Sequence, residues 1–195
     1  MSVELVKNCD LADHCDAGAK QGKSRDKRLP KQFGDFTEGL VMYVLGKQKD
    51  MTVALIDHVG ADIIASDRAE RRYAISVKGR NIPDNESKGF CFEKRDMEKL
   101  EETAHYFGMK SAVAFVIVDT LEKSMKIRVL IATLDDLINH GSHMSKSDFL
   151  HINPKTDAIE IKYKREKHLK QMKDCNFIDY TEFERKLESD VFPPR

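Results

Sequence analysis

Residues 111–118, SAVAFVIV, form the most apolar run of the chain and restrict its folds more than any other stretch. A strand of this composition is buried on both faces, so its sheet must be covered from both sides. Cover is available in sequence. Ahead of it, residues 92–107 read as a helix in which Met97, Leu100, Ala104 and Phe107 recur at steps of three and four, closed by Gly108. A second helix begins near Asp35, after Gly34, and carries Phe36, Leu40, Val41, Tyr43, Val44 and Leu45 before Gly46.

Between these helices the pattern changes to short β runs. Residues 51–56 are β-rich, 57–60 form a turn, 61–66 a second strand, and the charged segment 67–72 leads into a third, followed by a loop over 79–89. The order is therefore α, three β, α, β. Downstream, 125–132 reads as a strand, 134–139 as a short helix and 158–164 as an edge strand. Helices are expected over 165–173 and 181–187. With 195 residues, 41% hydrophobic and 34% charged, the chain suits one soluble α/β domain. Its parts are expected to be an irregular basic arm over 1–33, a core over 34–132, and a C-terminal α/β extension over 133–195 packed on the same body.

Charge and cysteine usage narrow the setting. The net charge is zero, yet residues 20–31 hold six cations against Asp26, and 162–173 hold six against Glu166. Such runs serve either as solvated faces or as phosphate contacts. Cys9, Cys15, Cys91 and Cys175 form no CxxC pair, the N-terminus lacks a signal-peptide core, and no apolar run is long enough to span a bilayer. Reduced thiols and a cytoplasmic location are expected, with no membrane partner.

The chemistry concentrates in residues 59–80, VGADIIASDRAERRYAISVKGR. On the third strand Tyr73, Ile75 and Val77 share one face while Ser76 and Lys78 share the other. Asp62 on the neighbouring strand can meet Lys78 at one end of the sheet. Glu38, in the first helix, either supports the helix N-terminus through the dipole or faces protein. Glu93 lies on the inward stripe of the later helix, either in an exposed first turn or pointing into a site beside the sheet. His140, His143 and His151 lack a fourth metal ligand and read as a solvated loop.

This ordered set resembles the PD-(D/E)xK nuclease superfamily, with a Glu in the first helix, an Asp entering a hairpin strand and an x-x-Lys on the next. Residues 59–107 look most like archaeal Holliday junction resolvases and related restriction endonucleases, through ISVKGRN, the polar loop and KLEETAHYFG. The resemblance covers roughly residues 35–119. It implies a restriction-endonuclease-like αβββαβ core, a mixed central sheet flanked by helices, and Mg²⁺-dependent, or Mn²⁺-dependent, hydrolysis of DNA phosphodiesters. Asp62 would be the central metal ligand, Lys78 the catalytic lysine, Glu38 a carboxylate completing the shell and the Val77 carbonyl a further ligand. The chain departs from the pattern at Ser76, where Asp or Glu is expected. Some restriction endonucleases with Ser-x-Lys recruit a glutamate from the following helix, which would make Glu93 the substitute. The rival implication is a nuclease-fold protein without chemistry that binds nucleic acid or a protein partner. Lys23, Arg25, Lys27, Arg28, Arg80 and Lys88 are the expected contacts to the DNA backbone, since a nuclease must hold phosphates on both sides of the scissile one. A homodimer is one compatible assembly.

Overall fold

The computed structural model describes residues 28–82, 89–121 and 124–186. Helix α1 (Arg28–Lys47) leads into strands β1 (Thr52–His58), β2 (Ala61–Ser66) and β3 (Arg72–Ile82). A short strand β4 (Phe90–Phe92) precedes α2 (Lys94–Tyr106), β5 (Lys110–Leu121) and β6 (Ser124–Thr133). Then come α3 (Leu134–Gly141), β7 (Leu150–Ile152), β8 (Ile159–Ile161), α4 (Glu166–Lys173) and β9 (Asp179–Lys186). The main sheet runs β1-β2-β3-β5-β6-β9, and a three-stranded sheet runs β4-β8-β7. In the main sheet β3 and β5 pair in parallel and every other neighbouring pair is antiparallel. The core is the expected αβββαβ order on a mixed sheet flanked by helices.

The apolar run explains the layering. All of residues 112–118 are buried, and they divide by the period of two. Val113, Phe115 and Ile117 face Met97, Leu100 and Ala104 of α2, while Ala112, Ala114, Val116 and Val118 face Val41, Val44 and Leu45 of α1. The α2 face also carries α3, the small sheet and Met172 of α4. Among the described residues no helix is long and apolar enough to cross a membrane. Cys91 and Cys175 are free thiols.

Four elements differ from the sequence expectation. Helix α1 starts at Arg28, inside the stretch expected to be an irregular arm. Pro30 does not stop it, because the first-turn N–H groups have no intrahelical acceptor to lose. Helix α2 starts at Lys94 because Phe90 and Phe92 are drawn into β4, where both rings are buried and pair across to Ile161 and Ile159. The segment expected as a helix over 181–187 is the strand β9, paired with β6 from Ile131↔Asp179 to Ser124↔Lys186. Its helix-forming charged residues yield to the open edge of β6, which offers a full row of unpaired backbone groups. The C-terminal part of the chain thus completes the main sheet, and β8 is the middle strand of the small sheet where an edge strand was expected.

Candidate active site

The site lies where β2 and β3 part company. Their ladder ends at Ile63↔Ile75, whereas β3 runs on beside β5 as far as Ile82↔Asp119. Two residues beyond the ladder on β3, the Val77 N–H donates to Asp62 Oδ2 at 2.6 Å, so a carboxylate takes the place of a strand acceptor. The bond fixes the rotamer of the carboxylate. The register then brings Asp62, Ser76 and Lys78 to the α2 face of the sheet.

A cavity of about 190 Å³ opens there, bounded by Asp62, Ser76, Val77 and Lys78 from the sheet and by Asp96 and Lys99 from α2. Lys78 Nζ donates to Asp96 Oδ2 at 3.1 Å and lies 5.3 Å from the centre of the Phe92 ring. Both partners are about two-thirds shielded, at 35% and 32% exposure, so the pair contributes no more than about 1 kcal/mol. It can be exchanged for a phosphate and a cation at small cost. Val59 and Gly60, in the turn between β1 and β2, complete the wall, and that turn is held to α2 by the Thr103 hydroxyl donating to the Val59 carbonyl at 2.6 Å.

Glu38 approaches from the other side. At Gly79 a β-carbon would come within 2.7 Å of Thr37 Cγ2 and 2.8 Å of Phe33 Cε1, so the glycine lets α1 close on β3 beside Lys78. Glu38, next to Thr37 and half-buried, is thereby brought within electrostatic reach of Asp62. Burial first, and then the Asp62 and Asp35 charges, push its carboxyl above the ordinary range. A raised folded pKa means that Glu38 favours the fold only while protonated, and that contribution is lost as pH rises through the raised value. Glu38→Gln should therefore raise the urea midpoint of the metal-free protein at pH 7, with the gain shrinking toward pH 4. A lower midpoint at pH 7 would mean that ionised Glu38 makes a favourable contact.

Glu93 does not take the expected position. It is exposed, it is the N-cap residue of α2 without a side-chain capping bond, and the carboxylate bounding the cavity is Asp96, three residues on. The start of α2 explains the difference. Once Phe92 belongs to β4, residue 93 sits outside the helix and the first-turn carboxylate becomes Asp96. Asp96 and Lys99 are the two charged cavity residues that sequence reasoning missed, although their spacing of three already puts them on one helix face. Of the expected DNA contacts, Arg28 opens α1 and Arg80 is exposed on β3, its guanidinium 6.0 Å from the Phe90 ring centre. Lys23, Arg25, Lys27 and Lys88 lie outside the described residues. In the histidine segment, the His140 ring stacks on Phe177 at 3.8 Å.

No family model matches the chain, and no curated protein matches it significantly. The solved structures similar to it include Hjc, a Holliday junction resolvase from the archaeal hyperthermophile Archaeoglobus fulgidus, at 16% identity. The match covers 64% of this chain and 86% of that one, with a TM-score of 0.42. A likeness at this level carries no assignment of activity, so function has to be argued from the site itself.

The donor set can be tested against a divalent ion. Among the described residues no group of three or more His, Cys, Asp or Glu is placed to hold a metal. Asp62 and Asp96 nonetheless bound one cavity together with the Ser76 hydroxyl, all of them hard oxygen donors. Mg²⁺ is commonly bound through one or two carboxylates with several waters retained, and this set fits that mode. It does not fit a soft or fully caged ion.

Proposed function

We propose that the chain is a divalent-metal-dependent DNA endonuclease of the PD-(D/E)xK type. The observation supporting this most is the meeting of Asp62, Ser76 and Lys78 around one cavity on one sheet face, with Asp62 anchored by the Val77 N–H. Asp62 and Asp96 would hold Mg²⁺ or Mn²⁺, with Ser76 and the Val77 carbonyl as neutral donors and Glu38 tuning the charge of the shell. The bound ion would polarise the phosphate and acidify a water. Lys78 would leave Asp96 to orient the attacking water and to offset the negative charge that builds on the phosphate oxygens. Lys99, on the opposite wall, would hold a neighbouring phosphate. Glu38, whose carboxyl is pushed up by burial and then by the Asp62 charge, would be drawn back toward its ordinary range by a cation beside Asp62, which couples metal binding to pH.

The second reading is a nuclease fold that has lost its chemistry and only binds nucleic acid or a partner protein. Ser76 supports it, because a serine hydroxyl supplies no charge at a divalent ion. The two part in one experiment. Supercoiled plasmid and a synthetic four-way junction are incubated with the protein and Mg²⁺ or Mn²⁺, with chelator as control, while Mn²⁺ binding is followed separately by electron paramagnetic resonance. The nuclease reading expects chelator-sensitive nicking and Mn²⁺ binding that is lost in Asp62→Asn. DNA binding without cleavage and without Mn²⁺ uptake would leave the second reading.

A further inference from the structure

The basic run of residues 162–173 is left unused by the catalytic cavity, and the fold gives it a position. Its second half is α4, which lies on the same sheet face as α2 and anchors there through the buried Met172. Between α4 and strands β6 and β9 is a cleft of about 530 Å³. Lys126 and Arg128 line it from β6, and Lys167, Lys170 and Lys173 from α4. Three carboxylates face them, Glu166, Asp174 and Glu182, so cations are in excess.

The ion pairs show which of these charges are committed. Arg128, with a side chain only 8% exposed, donates to Glu182 at 3.1 Å and to Asp119 at 3.4 Å and forms the floor. Lys126 pairs with Glu184 at 3.4 Å and Lys173 with Glu182 at 3.6 Å. Lys167 and Lys170 are exposed and make no ion pair among the described residues. These two are the lining cations that no ion pair engages, and Glu166 and Asp174 stand beside them in the cleft.

The strand register relates the cleft to the catalytic cavity. Arg80 pairs with Ile117 and Ile117 with Arg128, while Lys78 pairs with Phe115 and Phe115 with Leu130. Arg128 therefore lies on the face of Lys78, two strands across and one row of side chains along. Two strand spacings are about 10 Å, well within one turn of duplex at about 34 Å. The cavity and the cleft therefore open on the same side of the sheet, on either side of the buried layer around Phe90, Phe115 and Ile161, and a duplex lying over that layer spans both.

We infer that the cleft between α4 and the β6–β9 edge is a second contact for the DNA backbone, in which Lys167 and Lys170 hold phosphates of the strand engaged at Asp62 and Lys78. This inference rests on the nuclease reading for its substrate, but it can be tested by binding alone. Phosphate contacts release condensed counterions, so each one lost lowers the dependence of log affinity on log salt by about 0.9 for duplex DNA. Fluorescence anisotropy with a labelled duplex, without divalent ions, should give a salt slope that falls by about two in Lys167→Gln/Lys170→Gln. The affinity at low salt should drop by ten-fold or more. Both lysines are exposed, so the thermal midpoint should not move. Unchanged slope and affinity would overturn the inference, and so would competition by poly-glutamate equal to that by DNA at matched charge concentration. Its failure is distinct from failure of the nuclease reading: cleavage by the wild type with an unaltered slope in the double variant sinks only the cleft. A lysine-dependent slope in a protein that never cleaves sinks only the chemistry.

Discussion

Asp62→Asn should reduce metal-dependent DNA cleavage by at least about 1,000-fold, equivalent to about 4 kcal/mol of transition-state stabilisation, while leaving the thermal midpoint almost unchanged. The two outcomes have separate causes. An asparagine Oδ1 can still accept the Val77 N–H, so the bond that replaces a strand contact survives. What disappears is the charge, and a neutral amide is a weak donor to a hard divalent ion. Asp96→Asn should fall about 10- to 100-fold, since it loses both a candidate ligand and the partner that holds Lys78 in place. Glu93→Gln should stay within about two-fold of wild type, because the residue is exposed at the helix cap. Single-turnover cleavage with excess protein measures all three. Loss of activity in Glu93→Gln comparable to Asp62→Asn would mean that α2 moves on binding substrate, and retention in Asp62→Asn would end the nuclease proposal.

Gly60→Ala should lower the thermal midpoint by roughly 6–12 °C, corresponding to about 3 kcal/mol for a chain of this size. Gly60 has φ of 101°, where a side chain costs about 1–2 kcal/mol. Its β-carbon would also sit 2.4 Å from the Lys99 carbonyl oxygen and 2.7 Å from the carbonyl carbon, which are helix backbone and cannot swing aside. The turn must back away from α2, stretching the bond from Thr103 to the Val59 carbonyl. Since Asp62 follows this turn and Asp96 and Lys99 belong to α2, cleavage should decline along with stability. Gly46→Ala, where nothing lies within 4 Å, is the control and should not lower the midpoint. Differential scanning calorimetry decides the matter, and an unaltered midpoint in Gly60→Ala would show that the turn is not pressed on the helix.

What the sequence made legible follows from how local each signal is. The burial of residues 112–118 on two faces, and the shared face of Ser76 and Lys78, depend only on the alternation of one strand, and both are found. Asp96 was missed because the start of α2 depends on β4, a three-residue strand whose partner β8 lies some seventy residues away in sequence. Nothing near Phe90 announces that pairing, beyond two aromatics flanking a cysteine. The strand β9 was missed for a related reason. Its residues, DYTEFERK, mix strand and helix formers, and the choice is made by the vacant edge of β6. Local propensity decides elements that can stand alone, and tertiary pairing decides those that cannot.

The place of β9 at the end of the main sheet bears on how the protein is made. Roughly fifty residues separate the last residue of β6 from the last of β9. At 5–20 residues per second the ribosome needs roughly 3–10 s to deliver them. During that interval the nascent chain already holds every element of the cavity at Asp62 and Lys78, yet β6 presents an open, apolar edge carrying Ile127, Val129 and Ile131. Completing synthesis therefore acts as the protecting step for the sheet, and a transcript cut short after β6 would release a protein with the elements of its cavity present and its flank open to association.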